Sequence, residues 1–128
     1  MRSAAAAGFR QVLLSSDCAH AWSPKTLRAA MGAHFQLDIH EASNLSAFLG
    51  GYRGQGIVTA LEASTSLYLA TLNGPLAWVF GSEGLGVSDA VAEATQLKVR
   101  IPMPGATESL NVAAAAAVCL FETVRQRM

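Results

Sequence analysis

The feature that most constrains this chain is a run of five apolar residues, 76–80, which leads directly into the glycine-rich segment 81–86. A continuous apolar run is typical of a parallel strand covered on both faces, since a half-exposed strand alternates apolar and polar residues. Glycines after such a strand let the backbone approach a ligand closely. We therefore predict a central parallel strand and, after it, a loop at the edge where open α/β sheets bind ligands. The alternative is a plain strand-to-helix turn.

Short strands and helices alternate around this run. Further strands are predicted at residues 9–14, 35–39, 57–60 and 97–101, and helices at residues 3–7, 23–32, 41–49, 88–94 and 110–125. Residues 67–70 fit a short strand or a turn. Ser23 and Ser109 are the predicted N-caps of two helices, because a serine hydroxyl accepts from a free amide of the first turn. A third helix is predicted to start at Ser88-Asp89. The pattern predicts one α/β domain over residues 1–128, with a mostly parallel sheet flanked by helices.

Composition restricts the class of protein. The chain is 52% apolar and only 14% charged, which argues against disorder. No apolar run reaches the roughly 18 residues of a membrane span, and no signal-peptide pattern is present. We expect a cytoplasmic protein with no membrane partner. Cys18, Cys119 and the three histidines show no metal-ligand spacing, so we expect reduced thiols and no metal site.

Charge is balanced, with a formal net charge of zero. This argues against a protein that binds nucleic acid through overall positive charge, but it leaves room for a local basic face. Lys25, Arg28 and Arg53 are the candidate cations of the first half. They either form a solvated surface or contact phosphates.

The last predicted helix, residues 110–125, is apolar almost all round. Such a helix is normally buried, here either by the sheet and its neighbouring helices or by a partner subunit. Its N-terminus carries unpaired amides and the positive end of the helix dipole, which favour an anionic group.

Two segments taken together resemble the second and third motifs of the SpoU-type (TrmH-like) RNA ribose 2′-O-methyltransferases of the SPOUT superfamily. They read Gly81-Ser82-Glu83-Gly84-Leu85-Gly86, and Ile101-Pro102-Met103-Pro104-Gly105 followed by Ser109-Leu110-Asn111-Val112. Residues 2–8 resemble the end of the first motif, and residues 121–126 also fit the family. The family's first motif begins upstream with a strand and an asparagine-containing loop, and many members carry an N-terminal RNA-binding extension. We therefore expect an N-terminally truncated catalytic domain.

The resemblance implies a deep trefoil knot formed by the C-terminal segment, an exception to the rule that chains avoid knots. It implies an S-adenosyl-L-methionine site, in which backbone groups of Gly81, Ile101 and Leu110 contact the cofactor. The loop Thr59–Leu61, with Thr59 and Leu61 as its contacts, and Met103 would flank the adenine. It also implies a homodimer assembled through the last helix.

The implied reaction transfers a methyl group to a ribose 2′-hydroxyl of RNA, with ribosomal RNA favoured over transfer RNA. Arg2 would bind the hydroxyl and the adjacent phosphate, and Glu83 would orient Arg2 or the ribose. Because an arginine with a pKa above about 12 is a poor base, any base role of Arg2 needs help from that phosphate. Ser109 and Asn111 would hold the substrate and the knot loop.

Structural alternatives remain open for three of these residues. Ser109 could serve only as a helix cap, Asn111 only as a link between two loops, and Glu83 only as an acceptor for loop amides. Three other functions also remain: a cofactor- or RNA-binding module without turnover, a tRNA 2′-O-methyltransferase, and a generic nucleotide-binding domain.

Overall fold

The computed structural model describes residues 1–18, 20–81, 86–105 and 110–128, which form two compact units, Met1–Phe48 and Leu49–Met128. The first unit contains α1 (Arg2–Ala6), β1 (Gln11–Leu13), α2 (Pro24–Ala30), a 3-10 turn (Ala33–Phe35) and β2 (Asp38–His40). The boundary between the units falls within α3 (Leu45–Gly51). β1 and β2 pair in parallel, and Ala30, Ala33 and Leu37 form a small core with Val12 and Ile39 packed against it.

The second unit carries the larger sheet. Its elements are β3 (Gln55–Thr59), β4 (Thr65–Ser66), a 3-10 turn (Leu67–Leu69), β5 (Leu76–Val79), α4 (Asp89–Glu93), β6 (Leu97–Arg100) and α5 (Val112–Gln126). The strand order is β4-β6-β3-β5, and every pairing in it is parallel. The prediction of an α/β fold with parallel strands and flanking helices is therefore confirmed.

The predicted central strand is in fact an edge strand. In the four-stranded sheet β5 pairs with β3 and stands at one end of the strand order, whereas β3 and β6 are the inner strands. Its residues are apolar because Leu76, Trp78 and Phe80 pack on the core of Ile57, Leu67, Leu72, Val99 and Cys119, while Val79 is buried as well. An apolar run thus indicates that the side chains are buried. It does not indicate that the strand has a paired neighbour on both of its edges.

Local capping chemistry decides where several helices begin. The hydroxyl oxygens of Ser23 and Ser88 accept from Thr26 N–H (3.3 Å) and Val91 N–H (3.4 Å). The predicted N-cap Ser23 is therefore confirmed, and so is the predicted start of a helix at Ser88-Asp89.

The predicted cap of the last helix is wrong. α5 begins at Val112, and its N-cap is Asn111, whose Oδ1 accepts from Ala114 N–H at 2.9 Å. Ser109 lies outside the described residues. Both residue types are good caps, and the helix starts two residues later than the serine predicts.

Two elements of the first half also differ from expectation. The predicted strand 35–39 is divided into the 3-10 turn and the shorter β2. The predicted helix 41–49 begins only at Leu45, because Ala42 has a left-handed backbone (φ 51°) and Asn44 Oδ1 accepts from Ala47 N–H. Residues 67–70, predicted as a strand or turn, form the second 3-10 turn.

α5 buries one face in the single chain. Cys119, Leu120, Glu122 and Thr123 are buried, whereas Phe121 is 46% exposed. Thr123 fixes this face, since its hydroxyl accepts from Trp78 Nε1 at 2.9 Å and donates to the carbonyl of Cys119 at 3.0 Å. Packing within the described chain therefore does not account for the apolar residues on every side of this helix.

The last turn of α5 is tied to the segment before β5. Gln126 Nε2 donates to Ala70 O, and Gln126 Oε1 accepts from Leu72 N–H, both at 2.9 Å. Arg127 Nε donates to Leu72 O at 3.1 Å. These bonds satisfy backbone groups of a segment without regular pairing, so the C-terminal end of the helix is held in place.

Candidate functional site

A cavity of about 180 Å³ lies at the carboxyl ends of the two inner strands. Its lining residues are Thr59, Ala60, Leu61, Ile101, Met103, Leu110 and Ala115. Thr59 is the last residue of β3, and Ile101 directly follows β6. Because β3 and β6 are parallel neighbours, both chains leave the sheet at the same edge, which is where α/β folds bind ligands.

The loop after β3 is fixed by two contacts to β6. Ala60 N–H donates to Val99 O at 2.9 Å and so extends the pairing of the two strands by one residue. Arg100 Nη1 donates to Ala63 O at 3.0 Å, across the base of the loop. Leu61, which lies between these two anchor points, is thereby held at the cavity with 57% of its surface exposed.

The opposite wall is formed by the start of α5. Leu110 precedes the N-cap Asn111, and Ala115 lies in the first turns of the helix, where its amide donates to Asn111 O at 2.9 Å. Ala115 is small and leaves room that a larger side chain would fill. The N-terminal end of the helix dipole is therefore close to the cavity, a position that favours a negatively charged group.

The chemistry of the lining is that of a binding site. None of the described residues that line the cavity carries a titratable side chain. Apolar side chains and the backbone groups at strand ends can enclose an aromatic or aliphatic ligand and hydrogen-bond its polar edges. Any acid-base step must come from side chains beyond this lining.

Five residues that the sequence predicts as cofactor contacts are brought together here: Thr59, Leu61, Ile101, Met103 and Leu110. Their role in binding a cofactor stays a prediction. Ala60 lies within the loop Thr59–Leu61 that the family resemblance places beside the adenine. Sequence reasoning missed Ala115. Ala115 carried no signal, since it is one of several alanines in the same helix.

Gly81, the sixth predicted contact, is not one of the lining residues. The backbone around it nevertheless requires a glycine at this position. A Cβ atom at this position would overlap the backbone of Gly86 and Val87. The chain thus leaves β5 and returns to the same point five residues later, and Gly86 itself takes a left-handed conformation (φ 67°). The glycines are needed for this close backbone contact, whatever the loop binds.

Two of the four predicted catalytic residues, Arg2 and Asn111, are among the residues that the structure describes. Arg2 is an exposed residue at the start of α1, in the first unit. Asn111 is exposed, and its Oδ1 is engaged in capping α5. Glu83 and Ser109 lie outside the described residues, so their placement stays a prediction, as do the catalytic roles of all four.

The two cysteines are not among the residues that line the cavity. Cys18 is exposed, and Cys119 is buried; both are free thiols, and burial raises the pKa of Cys119 to about 12, so this group stays protonated. Within residues 1–18, 20–81, 86–105 and 110–128, no group of three or more His, Cys, Asp or Glu could hold a metal ion. Nor does the described part of the chain contain a helix long and apolar enough to cross a membrane.

Residues 1–121 match the SpoU rRNA Methylase family. The chain is 37% identical to a 23S rRNA (guanosine-2'-O-)-methyltransferase, RlmB, from Vibrio parahaemolyticus, with a match that covers 100% of this chain and 53% of that protein. Among solved structures it is similar to the SpoU methyltransferase AviRb from Streptomyces viridochromogenes in complex with AdoMet (TM-score 0.88, 28% identity, 98% of this chain and 53% of that one). It is also similar to a TrmH/SpoU tRNA modifying enzyme from A. aeolicus (TM-score 0.80, 29% identity, 98% and 66%).

These relatives share the fold over nearly all of this sequence. The chain spans about half the length of the curated relatives it matches. The similarity therefore identifies the domain, whereas activity and partners belong to the whole protein.

Proposed function

The chain belongs to the SpoU rRNA Methylase family, and on that ground we propose that its cavity binds S-adenosyl-L-methionine for an RNA ribose 2′-O-methyltransferase. The observation that carries the proposal is the convergence of Thr59, Leu61, Ile101, Met103 and Leu110 on one cavity. These residues come from two strand ends and a helix start, and all five are cofactor contacts that the family resemblance implies. The structure of the relative AviRb in complex with AdoMet supports the same cofactor.

The lining fits such a ligand physically. Leu61 and Leu110 stand at the cavity with 57% and 40% of their surfaces exposed, and a bound adenine would remove part of that apolar surface from water. Ala60 and Ala115 leave room beside it. Backbone groups where the chain leaves β3 and β6 border the cavity and are the ones proposed to meet the polar edges of the base.

When bound, S-adenosylmethionine supplies a methyl group on a sulfonium, which is a good leaving group. The residues of the chain then have to position the acceptor and accept its proton. Arg2 is proposed to bind the 2′-hydroxyl and its adjacent phosphate, with Glu83 orienting Arg2 or the ribose and Ser109 binding substrate. Since Oδ1 of Asn111 caps α5, the side-chain amide Nδ2 is the atom proposed to donate to the substrate.

The knot and the dimer are part of the same proposal. The deep trefoil knot is expected from family membership, and the ties between the last turn of α5 and residues 70–72 fit a C-terminal segment held firmly in its final path. A homodimer through α5 would cover Phe121, which the single chain leaves 46% exposed. The protein is proposed to act in the cytoplasm.

Ribosomal RNA is the favoured substrate, because a relative whose match covers all of this chain is a 23S rRNA (guanosine-2'-O-)-methyltransferase. A transfer RNA substrate remains the runner-up, supported by the tRNA modifying enzyme of similar structure. A cofactor- or RNA-binding module without turnover is the second candidate. It is favoured by the cavity lining, in which none of the described residues carries a titratable side chain.

Calorimetric titration of the chain with S-adenosylmethionine tests the site. We expect saturable binding at one site per chain, with S-adenosylhomocysteine as a competing ligand and ATP as a nucleotide control. Equal binding of ATP would indicate a generic nucleotide site instead.

Transfer of a tritiated methyl group tests turnover. Unmodified 23S rRNA and an unmodified tRNA pool are offered separately, and ribose methylation is read after nuclease digestion. Label in rRNA supports the main proposal, and label in tRNA alone supports the runner-up. Cofactor binding with no label in either RNA would support the binding module.

A further inference from the structure

The first unit presents an apolar surface that its own core does not use. Trp22 is 52% exposed, Phe35 is 90% exposed, and Leu27 and Met31 are exposed as well. Trp22 lies just before α2, Leu27 lies within it, and Met31 and Phe35 follow it closely. Isolated exposed apolar residues are ordinary, but four within 14 positions, two of them aromatic, point to a contact surface.

Trp22 is held in a fixed position. The neighbouring Ala21 is fully buried, and its N–H donates to Glu41 Oε2 at 3.3 Å. The carbonyl of Ala21 accepts from Nε2 of the buried His34 at 2.5 Å. The indole ring then packs on the His34 imidazole, with ring centroids 4.7 Å apart. The His34 ring thus contacts the indole, while about half of the Trp22 surface stays exposed.

Phe35 is presented by the same short turn. His34 points into the unit and Phe35 points outward, so that one 3-10 turn supports the first aromatic ring and exposes the second. An aromatic side chain has only two rotatable side-chain bonds, so it loses little conformational entropy on stacking against a flat partner.

The charge of this region has one sign. Residues 18–37 contain Lys25, Arg28 and two histidines but no aspartate or glutamate, although the whole chain has equal numbers of acidic and basic residues. Lys25 and Arg28 are exposed and lie three residues apart in α2, a spacing that places side chains on neighbouring positions of a helix surface. Asp17 and Asp38 border this segment, and the nearby Glu41 accepts from the amide of Ala21.

We propose that Trp22 and Phe35, with Lys25 and Arg28, form a binding surface for single-stranded RNA, on which bases stack while the cations contact phosphates. Exposed aromatic rings beside cationic side chains are the combination that binds unpaired nucleic acid. A second copy of the chain is the competing occupant, and the light-scattering measurement below distinguishes it from RNA. The inference rests on the proposed function for its choice of RNA, but it concerns a surface of the first unit and not the cofactor cavity.

The experiment uses the 128-residue chain without cofactor, so that its result is independent of methyl transfer. Binding of a fluorescein-labelled single-stranded 12-nucleotide RNA is followed by anisotropy, with the matching RNA duplex as comparison. Trp22→Ala and Phe35→Ala should each weaken single-strand binding about 10-fold. Tyr68→Ala, which removes another exposed aromatic ring, is the matched control and should bind like the original chain.

Two further readouts separate stacking and charge from a general loss of fold. In a Trp78→Phe background Trp22 is the sole tryptophan, and RNA should quench its fluorescence. Lys25→Gln with Arg28→Gln should reduce the slope of log affinity against log salt by about 1.4. Phe35→Ala is the variant least able to disturb folding, since its ring is almost fully exposed.

Several results would overturn the inference. These are no RNA binding, equal binding in the Phe35→Ala variant, equal affinity for the duplex, or loss of binding in Tyr68→Ala to the same extent. A dimer in light scattering that Phe35→Ala dissociates, without any RNA effect, would assign the surface to a second copy. Binding to anionic lipid vesicles as strong as to RNA would assign it to a membrane surface. An absence of methyl transfer, by contrast, leaves the RNA-binding result intact.

Discussion

The two ends of α5 are built for different purposes. At the C-terminal end Gln126 and Arg127 bind the backbone of residues 70–74, and Glu122 forms a two-point contact with Arg125. At the N-terminal end the side chain of Asn111 caps the helix, and Ala115 lines a cavity. One end uses its polar groups to hold the chain together, and the other leaves space beside the positive end of the helix dipole.

This difference separates stability from binding along one helix. Side-chain changes at the C-terminal end remove bonds that the folded chain already makes. Changes at the N-terminal end mainly alter what the cavity can accept. The comparison therefore predicts that variants of the two ends affect different measurements.

The largest effect is expected from filling the cavity. Ala115→Phe places a ring where the small alanine side chain leaves room, so S-adenosylmethionine affinity should fall about 10- to 100-fold. Calorimetric titration measures this. Ala114→Phe, at an exposed position of the same helix, is the matched control and should bind normally. Normal binding by Ala115→Phe would remove the cavity from the proposed cofactor site.

The second largest effect is expected from removing the hydrogen bonds of Gln126 at the C-terminal end of α5. Gln126→Ala leaves the N–H of the buried Leu72 and the carbonyl of Ala70 without these partners, which should lower the free energy of unfolding by about 2 kcal/mol. Urea unfolding followed by circular dichroism measures the change. Gln36→Ala, at an exposed position in the first unit, provides the control. A variant that keeps its stability but loses cofactor binding would contradict the division between the two ends.

A smaller effect separates two roles of Asn111. Asn111→Ala removes the cap and should cost about 1 kcal/mol of stability, whereas Asn111→Asp keeps a capping oxygen but lacks the Nδ2 donor. If Nδ2 contacts substrate, both variants lose methyl transfer in the active enzyme while cofactor binding largely remains. Full turnover by Asn111→Asp would restrict Asn111 to capping.

The sequence predicted features that depend on neighbouring residues. Ser23 was recognisable as a cap because it acts on an amide three residues later. The general property of parallel sheets predicted a ligand at the loop after β5, whereas the cavity lies at the ends of β3 and β6. The cofactor contacts came from the family resemblance, which supplies a spatial arrangement that local patterns do not contain.

Features that depend on distant contacts were not predictable in the same way. The edge position of β5 is a matter of strand order, and an apolar run reads the same at the edge as in the centre when its side chains reach the core. The tie from Gln126 spans 54 residues to Leu72 and 56 to Ala70, and no spacing rule connects these positions. Asn111 and Ser109 are equally good caps, so the start of α5 depends on tertiary packing.

The smallest effect is a dependence of stability on pH at the C-terminal end. Hydrogen bonds from Arg125 hold the pKa of the buried Glu122 below its ordinary value of 4.5. Its contribution to stability is therefore complete above that value and is lost as pH falls through the lower, folded-state pKa. Arg125 is 66% exposed, which limits the strength of the pair.

We therefore expect the melting temperature to fall below pH 4.5 in a way that Glu122→Gln partly abolishes. The amide variant cannot titrate, so its melting temperature should depend less on pH between pH 5 and pH 3, although it is lower at neutral pH. Thermal unfolding by circular dichroism at several pH values measures both effects. Glu93→Gln, on the exposed surface of α4, should follow the original chain. An identical pH profile for Glu122→Gln would mean that the ion pair does not stabilise this end of the helix and that Gln126 and Arg127 alone hold it.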